Sequence, residues 1–554
     1  MAAAKPEWSN DIPNATKNAI IEAKYDTSIN GNFESQNLTI NEGGTLYINA
    51  GGYITVNGQI VNRNSAESSF VLDNDANLLQ NTAAPNVGKI TVKKLAVMPK
   101  MGYNYWSSPV IGQELYKFSD GYNSANGGQG NGTPFNRFYV YNESNDRFVS
   151  SIANEITLSS SSVFEQARGY AIRGKNIFKD TITVSTPPAL FQFVGIPRNG
   201  DVNSYNLKWK DAAHGYNMVG NPYPSNIDFD AFAAANADKI KGVTYFWTNN
   251  DSSVITQQGS NYNNYKVNNY ALLNGCGGIS ATYPGYNNKK PNGLISVSQG
   301  FIVQAIEGGK EKPLVFNNSM RRATVANYYN KTQVQKDRFW LEFKSPTNIN
   351  NEILIGYLPT ATDGFDSSFD TELLAIGHDS FWSILNNSKL GIQAKKSPVV
   401  TDDVVKLGFK ASVSGNYTIS LTDREGIFDS NQSVYLKDQN LDKIVDITAT
   451  PYVFFTNSGQ YENRFEIVYK SSGTLGTGET NSKGIIVTKN SQNFIVKSSE
   501  NLDEVSVYDA LGRLIYNSKI SKKEVLINNA NFAEGLYIIK ARSGNTIVTK
   551  KVLK

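Results

Sequence analysis

An eight-residue repeat near the start of the chain constrains the fold most strongly. The segment Asn41–Ile48 reads NEGGTLYI, and the next segment, Asn49–Val56, reads NAGGYITV. Each copy places a Gly-Gly turn before a short alternating strand. A longer period of 24 residues also relates Leu46 to Phe70, Ile48 to Leu72, and Ile54 to Leu78. Three sides per coil predict a small β-solenoid over residues 8–97, and a run of ordinary hairpins is the alternative.

The rest of the chain carries an all-β pattern as well. Short alternating segments are separated by Gly and Asn turns, and the chain is rich in Tyr (30) and Phe (27), which suit half-buried strands. We predict a duplicated β-sandwich region over 98–325, a β-sandwich over 326–470, a flexible linker over 471–482 and a compact Ig-like β-sandwich over 483–554. Residues 1–7 are interpreted as an added or truncated start.

Three pairs of similar segments, in the same order, indicate the duplication. They are Gly102–Pro109 with Gly215–Pro222, Phe138–Asn142 with Tyr245–Asn249, and Gly169–Ile172 with Gly300–Val303. The order favours two related β repeats over chance similarity. The strongest helix signal of the chain lies in the second repeat, over Asp228–Lys241, where Asp228 can cap a run of Ala and Phe.

The composition excludes several kinds of site. The chain has only two histidines, His214 and His378, and one cysteine, Cys276, so a Cys/His zinc site and intramolecular disulfides are excluded. The net charge of +4 is too small to indicate a nucleic-acid partner. No apolar run reaches the roughly 18–20 residues of a membrane span. We expect no cofactor, and no motif supports a catalytic triad or a reactive Cys276.

Paired carboxylates are the one enzymatic arrangement that the composition leaves open. Asp228 and Asp230 could flank a glycosidic bond if their carboxyl groups lay about 5–10 Å apart. The alternative is that Asp228 caps the short helix and Asp230 lies in its first turn. We favour the helix cap, and therefore predict no catalytic residue and no enzymatic activity.

Two groups of residues could bind other ligands. Asp363, Asp366 and Asp370 could supply carboxylate oxygens to calcium, or could simply occupy solvated turns. A long Asn- and Gly-rich loop carries five tyrosines that could stack on sugars while Asn side chains bind hydroxyls. The alternative is a surface loop packed by its own rings. The tyrosines are Tyr262, Tyr265, Tyr270, Tyr283 and Tyr286.

The end of the chain resembles a known export module. Val505–Ile515 reads VSVYDALGRLI, Gly535–Lys540 reads GLYIIK, and the chain ends in KKVLK at Lys550–Lys554. Together these segments resemble the type A C-terminal sorting domain of proteins exported by the type IX secretion system of Bacteroidetes. The Pro-Asn-Pro-like motif that often begins that family is absent here, where Lys483–Val487 reads KGIIV.

The resemblance implies an exported protein, secreted or attached to the cell surface. It implies a Sec signal at the natural N-terminus, and the outer-membrane type IX translocon and its shuttle protein as partners. The other β domains would form a structural or adhesive module. The alternative is a carbohydrate-binding module, or part of a secreted polysaccharide-degrading enzyme, that contacts polysaccharide or a surface glycan. The residues that carry the sorting signal would be Val505, Val507, Tyr508, Asp509, Gly512, Arg513, Leu514, Gly535, Tyr537, Lys540, Lys550, Lys551 and Lys554.

Overall fold

The computed structural model divides the chain into two compact units, an N-terminal unit, Met1–Lys470, and a C-terminal unit, Ser471–Lys554. The predicted all-β class is confirmed, because most of the regular structure is strand. The α-helices of the described residues are α1 (Thr27–Asn30), α2 (Phe229–Ala235) and α3 (Ile427–Ser430). None of the helices in this part of the chain is long and apolar enough to cross a membrane. The structure describes residues 8–119, 130–150, 158–159, 161–183, 185–248, 269–282, 289–323, 336–430, 432–470, 485–489, 492–544 and 546–554.

The chain begins with a three-sided parallel solenoid. Its strands are β1 (Ala19–Ile21), β2 (Lys24–Asp26), β3 (Phe33–Ser35), β4 (Leu38–Ile40), β5 (Thr45–Ile48), β6 (Tyr53–Val56), β7 (Ile60–Asn62), β8 (Phe70–Leu72) and β9 (Asn77–Gln80). The three sides are β1-β4-β7, β2-β5-β8 and β3-β6-β9. Every pairing within a side is parallel. Parallel neighbours one coil apart are the arrangement that the repeat predicts.

The 24-residue period appears directly in the strand register. Leu46 lies beside Phe70, and Ile48 lies beside Leu72. Ile54 lies beside Leu78 on the next side. All six side chains are at most 1% exposed, since they stack into the shared interior of the coils. The solenoid interpretation is therefore confirmed, and the hairpin alternative is wrong.

The next region contains two sheets of the same topology. The first repeat has β11 (Tyr103–Trp106), β13 (Phe138–Asn142), β14 (Arg147–Ser150) and β15 (Tyr170–Arg173), in the order β11-β15-β13-β14. The second repeat has β17 (Tyr216–Gly220), β19 (Ile240–Trp247), β20 (Tyr270–Asn274), β21 (Gly278–Ile279) and β23 (Gly300–Ala305), in the order β17-β23-β19-β20-β21. The β2-β5-β8 side of the solenoid continues through β10 (Ile90–Ala96), β16 (Ala189–Pro197) and β12 (Val110–Ile111). A small three-stranded sheet is formed by β22 (Leu294–Ile295), β18 (Asn226–Asp228) and β24 (Arg321–Arg322).

The strand register corrects one of the three predicted segment pairs. Tyr103 lies beside Arg173 as Tyr216 lies beside Gln304, so the first and third pairs align as expected. In the second pair, Tyr245 corresponds to Tyr139 rather than to Phe138. Both segments are almost wholly buried. A strand buried on both faces lacks the alternation of apolar and polar residues that fixes its register. The two segments were therefore aligned one residue out of register.

The two repeats contact each other through equivalent residues. Trp106 of the first repeat forms a β-bridge with Gln299 of the second repeat. The residues at the equivalent positions, Val219 of the second repeat and Arg168 of the first, form the matching β-bridge. Gly220 lies against its own counterpart, Ser107, because a Cβ built on Gly220 would lie 2.2 Å from the Ser107 Cβ. Reciprocal contacts of this kind define an approximate two-fold axis between the repeats.

The predicted helix is shorter than expected. Helix α2 ends at Ala235, where the Asn236 side chain donates to the carbonyl of Phe232 at 2.9 Å. Residues up to Lys241 were predicted to be helical, but Ile240 already begins β19. Strand pairing with β20 and β23 therefore overrides local helix propensity there.

The last part of the N-terminal unit is one curled sheet. Its order is β33-β32-β35-β30-β28-β29-β26-β25-β31-β34, with β27 beside β29. Its two end strands meet where the Lys443 ammonium group of β33 lies 5.8 Å from the centre of the Tyr452 ring of β34. The strands are β25 (Asp337–Lys344), β26 (Asn350–Leu358), β27 (Thr371–Glu372), β28 (Ser380–Leu385), β29 (Ser388–Lys396), β30 (Val404–Ala411), β31 (Gly415–Glu425), β32 (Tyr435–Asp438), β33 (Lys443–Asp446), β34 (Tyr452–Thr456) and β35 (Gly459–Val468).

Strands β25 and β26 are buried on both faces. Phe339 and Leu341 point into the curled sheet, while Trp340 packs with residues of the two repeats. The core around Trp106 likewise joins the solenoid to the first repeat. The predicted boundaries near residues 97 and 325 therefore lie between segments that share cores.

The C-terminal unit has its own core. Its strands are β36 (Ile485–Lys489), β37 (Asn493–Asp509), β38 (Leu514–Asn528), β39 (Leu536–Ser543) and β40 (Thr546–Leu553). Strand β37 pairs with β36, β38 and β39, and β39 pairs with β40. The register of β37 shifts between Lys497 and Glu504, so its two halves can contribute to one core. That core includes Phe494 and Val496 from one half and Val505 and Val507 from the other.

Candidate functional site

The segments that resemble a sorting domain lie on neighbouring strands. Residues 504–509 of β37 pair with residues 537–542 of β39, and β39 pairs along its whole length with β40. Residues 514–518 of β38 complete this sheet on the other side of β37. Three segments that are separate in sequence thus form one continuous surface in the C-terminal unit.

Burial divides the thirteen predicted sorting residues into different classes. Val505, Val507 and Tyr537 point into the core and are at most 7% exposed. Leu514 is 54% exposed, and Lys550 and Lys551 are also exposed. The inward residues stabilise the unit by packing, so only the outward ones are available to a partner.

A hairpin turn joins β37 and β38, with the N–H of Gly512 donating to the carbonyl of Asp509 at 3.0 Å. Asp509 accepts hydrogen bonds from the backbone N–H groups of Leu511 and Arg513, at 3.0 and 2.9 Å. Its carboxylate also accepts from Arg513 Nε at 2.7 Å, and this contact lowers the pKa of Asp509. Gly512 has a φ of +80°, a conformation that favours glycine. Asp509, Gly512 and Arg513 therefore shape the turn.

The chain end is fixed to the same sheet. The backbone N–H of Lys554 donates to the carbonyl of Gly535 at 2.9 Å. Its ammonium group donates to the carbonyl of Phe532. Lys554 and Gly535 are thus joined structurally, whereas exposed Lys540 projects from the middle of β39.

Of the five predicted ligand tyrosines, the structure describes only Tyr270. Tyr262, Tyr265, Tyr283 and Tyr286 lie outside the described residues. Tyr270 is 7% exposed, and its hydroxyl lies 2.6 Å from that of Tyr105. Its ring packs edge-on against Trp247 at 5.3 Å. Tyr270 therefore belongs to the core and does not offer a flat platform for a sugar ring.

A cleft opens beside Tyr270, between the second repeat and the curled sheet. Its cavity volume is about 50 Å³. Glu352 accepts from the N–H and Oγ of Ser280, both at 2.9 Å, and forms an ion pair with Lys290 at 3.0 Å. The lining residues are Tyr270, Leu272, Ile279, Ser280, Thr282, Asn351, Glu352, Leu373, Leu374, Ala375, Ser380 and Phe381.

Asn351 is the unusual residue of this cleft. Its side-chain oxygen accepts from Thr282 Oγ1 at 2.9 Å. Its side-chain nitrogen is buried without a hydrogen-bond partner, although the residue is only 6% exposed. A buried donor without a partner costs about 1–3 kcal/mol. Of this lining, the sequence pointed only to Tyr270, because the other residues come from distant segments and follow no motif.

The three predicted calcium carboxylates are not arranged as a metal site. Asp366 accepts from the N–H of Thr362, at 2.6 Å. Asp370 accepts from the N–H groups of Asp366 and Ala394, both at 2.7 Å, and burial raises its pKa to about 6. Asp363 is exposed. Over the described residues, which include all three, no group of three or more Asp, Glu, His or Cys could hold a metal ion.

The remaining sequence candidates have structural roles. Asp228 accepts from the N–H of Ala231 at 3.0 Å and so caps its own helix, with Asp230 in the first turn. Cys276 is fully buried, and burial raises the pKa of its thiol to about 12. His214 lies 2.7 Å from Asp211 on the surface, and His378 is exposed elsewhere.

Comparison with curated proteins finds no match. Among solved structures, the chain has low similarity to a β-D-glucuronidase from Dictyoglomus thermophilum: TM-score 0.11, 12% identity, 41% of this chain and 44% of that one. It has similarly low similarity to PorZ, a surface component of the type-IX secretion system of Porphyromonas gingivalis: TM-score 0.12, 9% identity, 76% of this chain and 73% of that one. The match therefore spans less than half of the glucuronidase.

Family models cover nearly the whole chain. A model described as a domain of unknown function, DUF8694, matches residues 475–554. Its start lies close to the boundary between the two compact units. A second model of the same description, DUF8693, matches residues 3–469, which is most of the chain. The chain therefore belongs to the DUF8693 family.

Proposed function

We propose that this chain is an exported surface or secreted protein whose C-terminal unit is a type IX sorting domain. The observation that carries the proposal is the placement of the matching segments. Residues 505–515, 535–540 and 550–554 lie on adjoining strands of a unit that has its own core. An address that a translocon reads on its cargo needs such a self-contained surface, because the cargo domains ahead of it vary.

The N-terminal unit would then act as a structural or adhesive module. Its solenoid, repeats and curled sheet share cores, which favours a rigid body over a string of mobile domains. We also propose that it has no catalytic activity. The arrangement of Asp228, which is occupied in capping its own helix, supports that view over a carboxylate pair.

The export proposal can be tested in a Bacteroidetes host with a working type IX system. The full chain is expressed behind a Sec signal peptide, in the wild-type host and in a strain that lacks the outer-membrane translocon. We expect the chain at the cell surface or in the medium of the first strain, and in the periplasm of the second. Equal distributions in the two strains would exclude type IX export.

Carbohydrate binding is the second candidate function, and the cleft beside Tyr270 favours it. Apolar walls from Leu373 and Phe381 are combined with the Asn351 amide and the Ser380 hydroxyl. The pairing of Glu352 with Lys290 leaves little net charge, so a neutral ligand suits the cleft better than an acidic one. Among the described lining residues no ring lies flat and exposed, so the cleft would receive only the terminal group of a sugar chain.

Asn351→Asp tests this candidate, since it removes the amide donor and keeps the shape of the side chain. Asn387→Asp, in the exposed turn between β28 and β29, is the control. With a panel of neutral oligosaccharides and calorimetry, we expect binding that only the Asn351 variant weakens. An absence of binding by the wild-type chain, or equal binding by all three proteins, would contradict it.

A further inference from the structure

One face of the C-terminal sheet combines exposed apolar side chains with unpaired lysines. Across the four strands, Leu514 lies beside Tyr508, Tyr508 beside Ile538, and Ile538 beside Lys551. The adjacent row, two residues along each strand, contains Ser506, Lys540 and Thr549. We name these two rows the outer face. The opposite side of the same strands contributes the core residues Val507 and Ile539.

The outer face departs from the usual pattern of a one-sided sheet. The solvent side of an antiparallel sheet is normally polar. Here Leu514 is 54% exposed, and Tyr508 and Ile538 are half-buried. Packing within the C-terminal unit does not require these side chains, because its core lies on the other side.

The lysines of the outer face form no ion pair within the described part of the C-terminal unit. The ion pairs of the described part of the C-terminal unit are Lys497–Glu524, Arg513–Asp509 and Arg542–Glu504. None of them includes Lys540 or Lys551, and both of these lysines are exposed. Their positive charge is therefore available to a partner.

The charge of the whole chain is concentrated in this unit. Residues 471–554 contain 12 Lys and Arg against 7 Asp and Glu, whereas residues 1–470 contain 41 against 42. The net charge of +4 thus comes from the C-terminal unit alone. Complementary charge steers association and selects partners, so the expected partner surface is acidic.

We infer that the outer face is the surface by which the export machinery recognises this chain, and that its receptor presents an acidic protein surface with an apolar strip. The inference rests on the proposed function and adds to it. Of the motif residues, Tyr508, Leu514, Lys540 and Lys551 contact the receptor, while Val505, Val507 and Tyr537 only maintain the fold.

Charge reversal on the outer face tests the inference. Full-length K540E/K551E is compared with wild type for the fraction exported in the type IX host. The control, K522E/K523E, makes the same charge change on β38 about 20 Å along the strand, since Lys522 pairs with Leu502, six residues from Tyr508. We expect export of K540E/K551E to fall about tenfold, and the control to export like wild type.

Two further measurements separate folding from recognition. The purified variants should unfold at the same temperature as wild type, because both lysines are exposed; if K540E/K551E does not, K540Q/K551Q replaces it. Leu514→Ser, which removes an exposed apolar contact, should also reduce export while the unfolding temperature stays unchanged.

The outcomes distinguish this inference from the proposed function. Normal export of K540E/K551E, when wild type depends on the translocon, would overturn the inference alone. Translocon-independent behaviour of wild type would overturn both. If K540E/K551E exports normally but loses binding to phosphatidylglycerol-containing vesicles, the outer face binds a lipid surface instead.

Discussion

At the scale of single residues, burial decides which residues of a motif can contact a partner protein. Val507 and Tyr508 are neighbours in sequence, yet Val507 is fully buried and Tyr508 lies on the outer face. Alternation along a strand produces this division, so a motif read from sequence mixes packing residues with contact residues. Tyr270 could by sequence have stacked on a sugar or packed against other rings, and the structure places its ring in the core.

Asp370 makes a pH-dependent contribution to stability. Burial raises its pKa to about 6 in the folded chain, above the ordinary value of 3.8. Its contribution is therefore fully present below pH 3.8 and is lost as the pH rises through 6. Denaturant titrations measure the free energy of unfolding of wild type and of Asp370→Asn. The difference between the two, in favour of wild type, should shrink by about 2 kcal/mol between pH 4 and pH 7. Asp363→Asn, at an exposed site, should track wild type; a constant gap for Asp370→Asn would contradict the assignment.

At the scale of elements, the two-fold contact between the repeats makes a reciprocal prediction. Gly220→Ser should destabilise the N-terminal unit by about 1–3 kcal/mol, because its Cβ would lie 2.2 Å from that of Ser107. Adding Ser107→Gly exchanges the two residues across the axis and should recover most of that loss. A double-mutant cycle by thermal or chemical unfolding measures the coupling, and additive effects would contradict the symmetry.

Sequence predicted the elements with very different success. The solenoid register was predictable because a parallel coil repeats its inward positions at a fixed spacing, as Leu46 and Phe70 show. The pairing of Phe138 with Tyr245 slipped, since strands buried on both faces carry no alternation. The capping residue Asp228 identified the start of α2. The end of α2 could not be predicted, because it is set by the pairing of β19 with β20. In the cleft around Asn351, only Tyr270 carried a sequence signal, because the lining comes from segments far apart in the chain.

At the scale of the whole molecule, a protease should first cut the chain between its two compact units. The contacts divide it at Lys470–Ser471, and the sequence predicts a flexible linker over 471–482, which lies outside the described residues. Limited proteolysis should therefore cut first between residues 470 and 485, and should leave both fragments resistant. Early cuts near residue 97 would contradict the shared core around Trp106.

If the C-terminal unit addresses the chain for export, removing that unit should abolish export. The full chain and a chain ending at Lys470, both behind the same Sec signal, are expressed in the type IX host, and their accessibility to external protease is measured. We expect the full chain to be digested or found in the medium, and the truncated chain to stay protected in the periplasm. Equal export of the truncated chain would show that the address lies elsewhere.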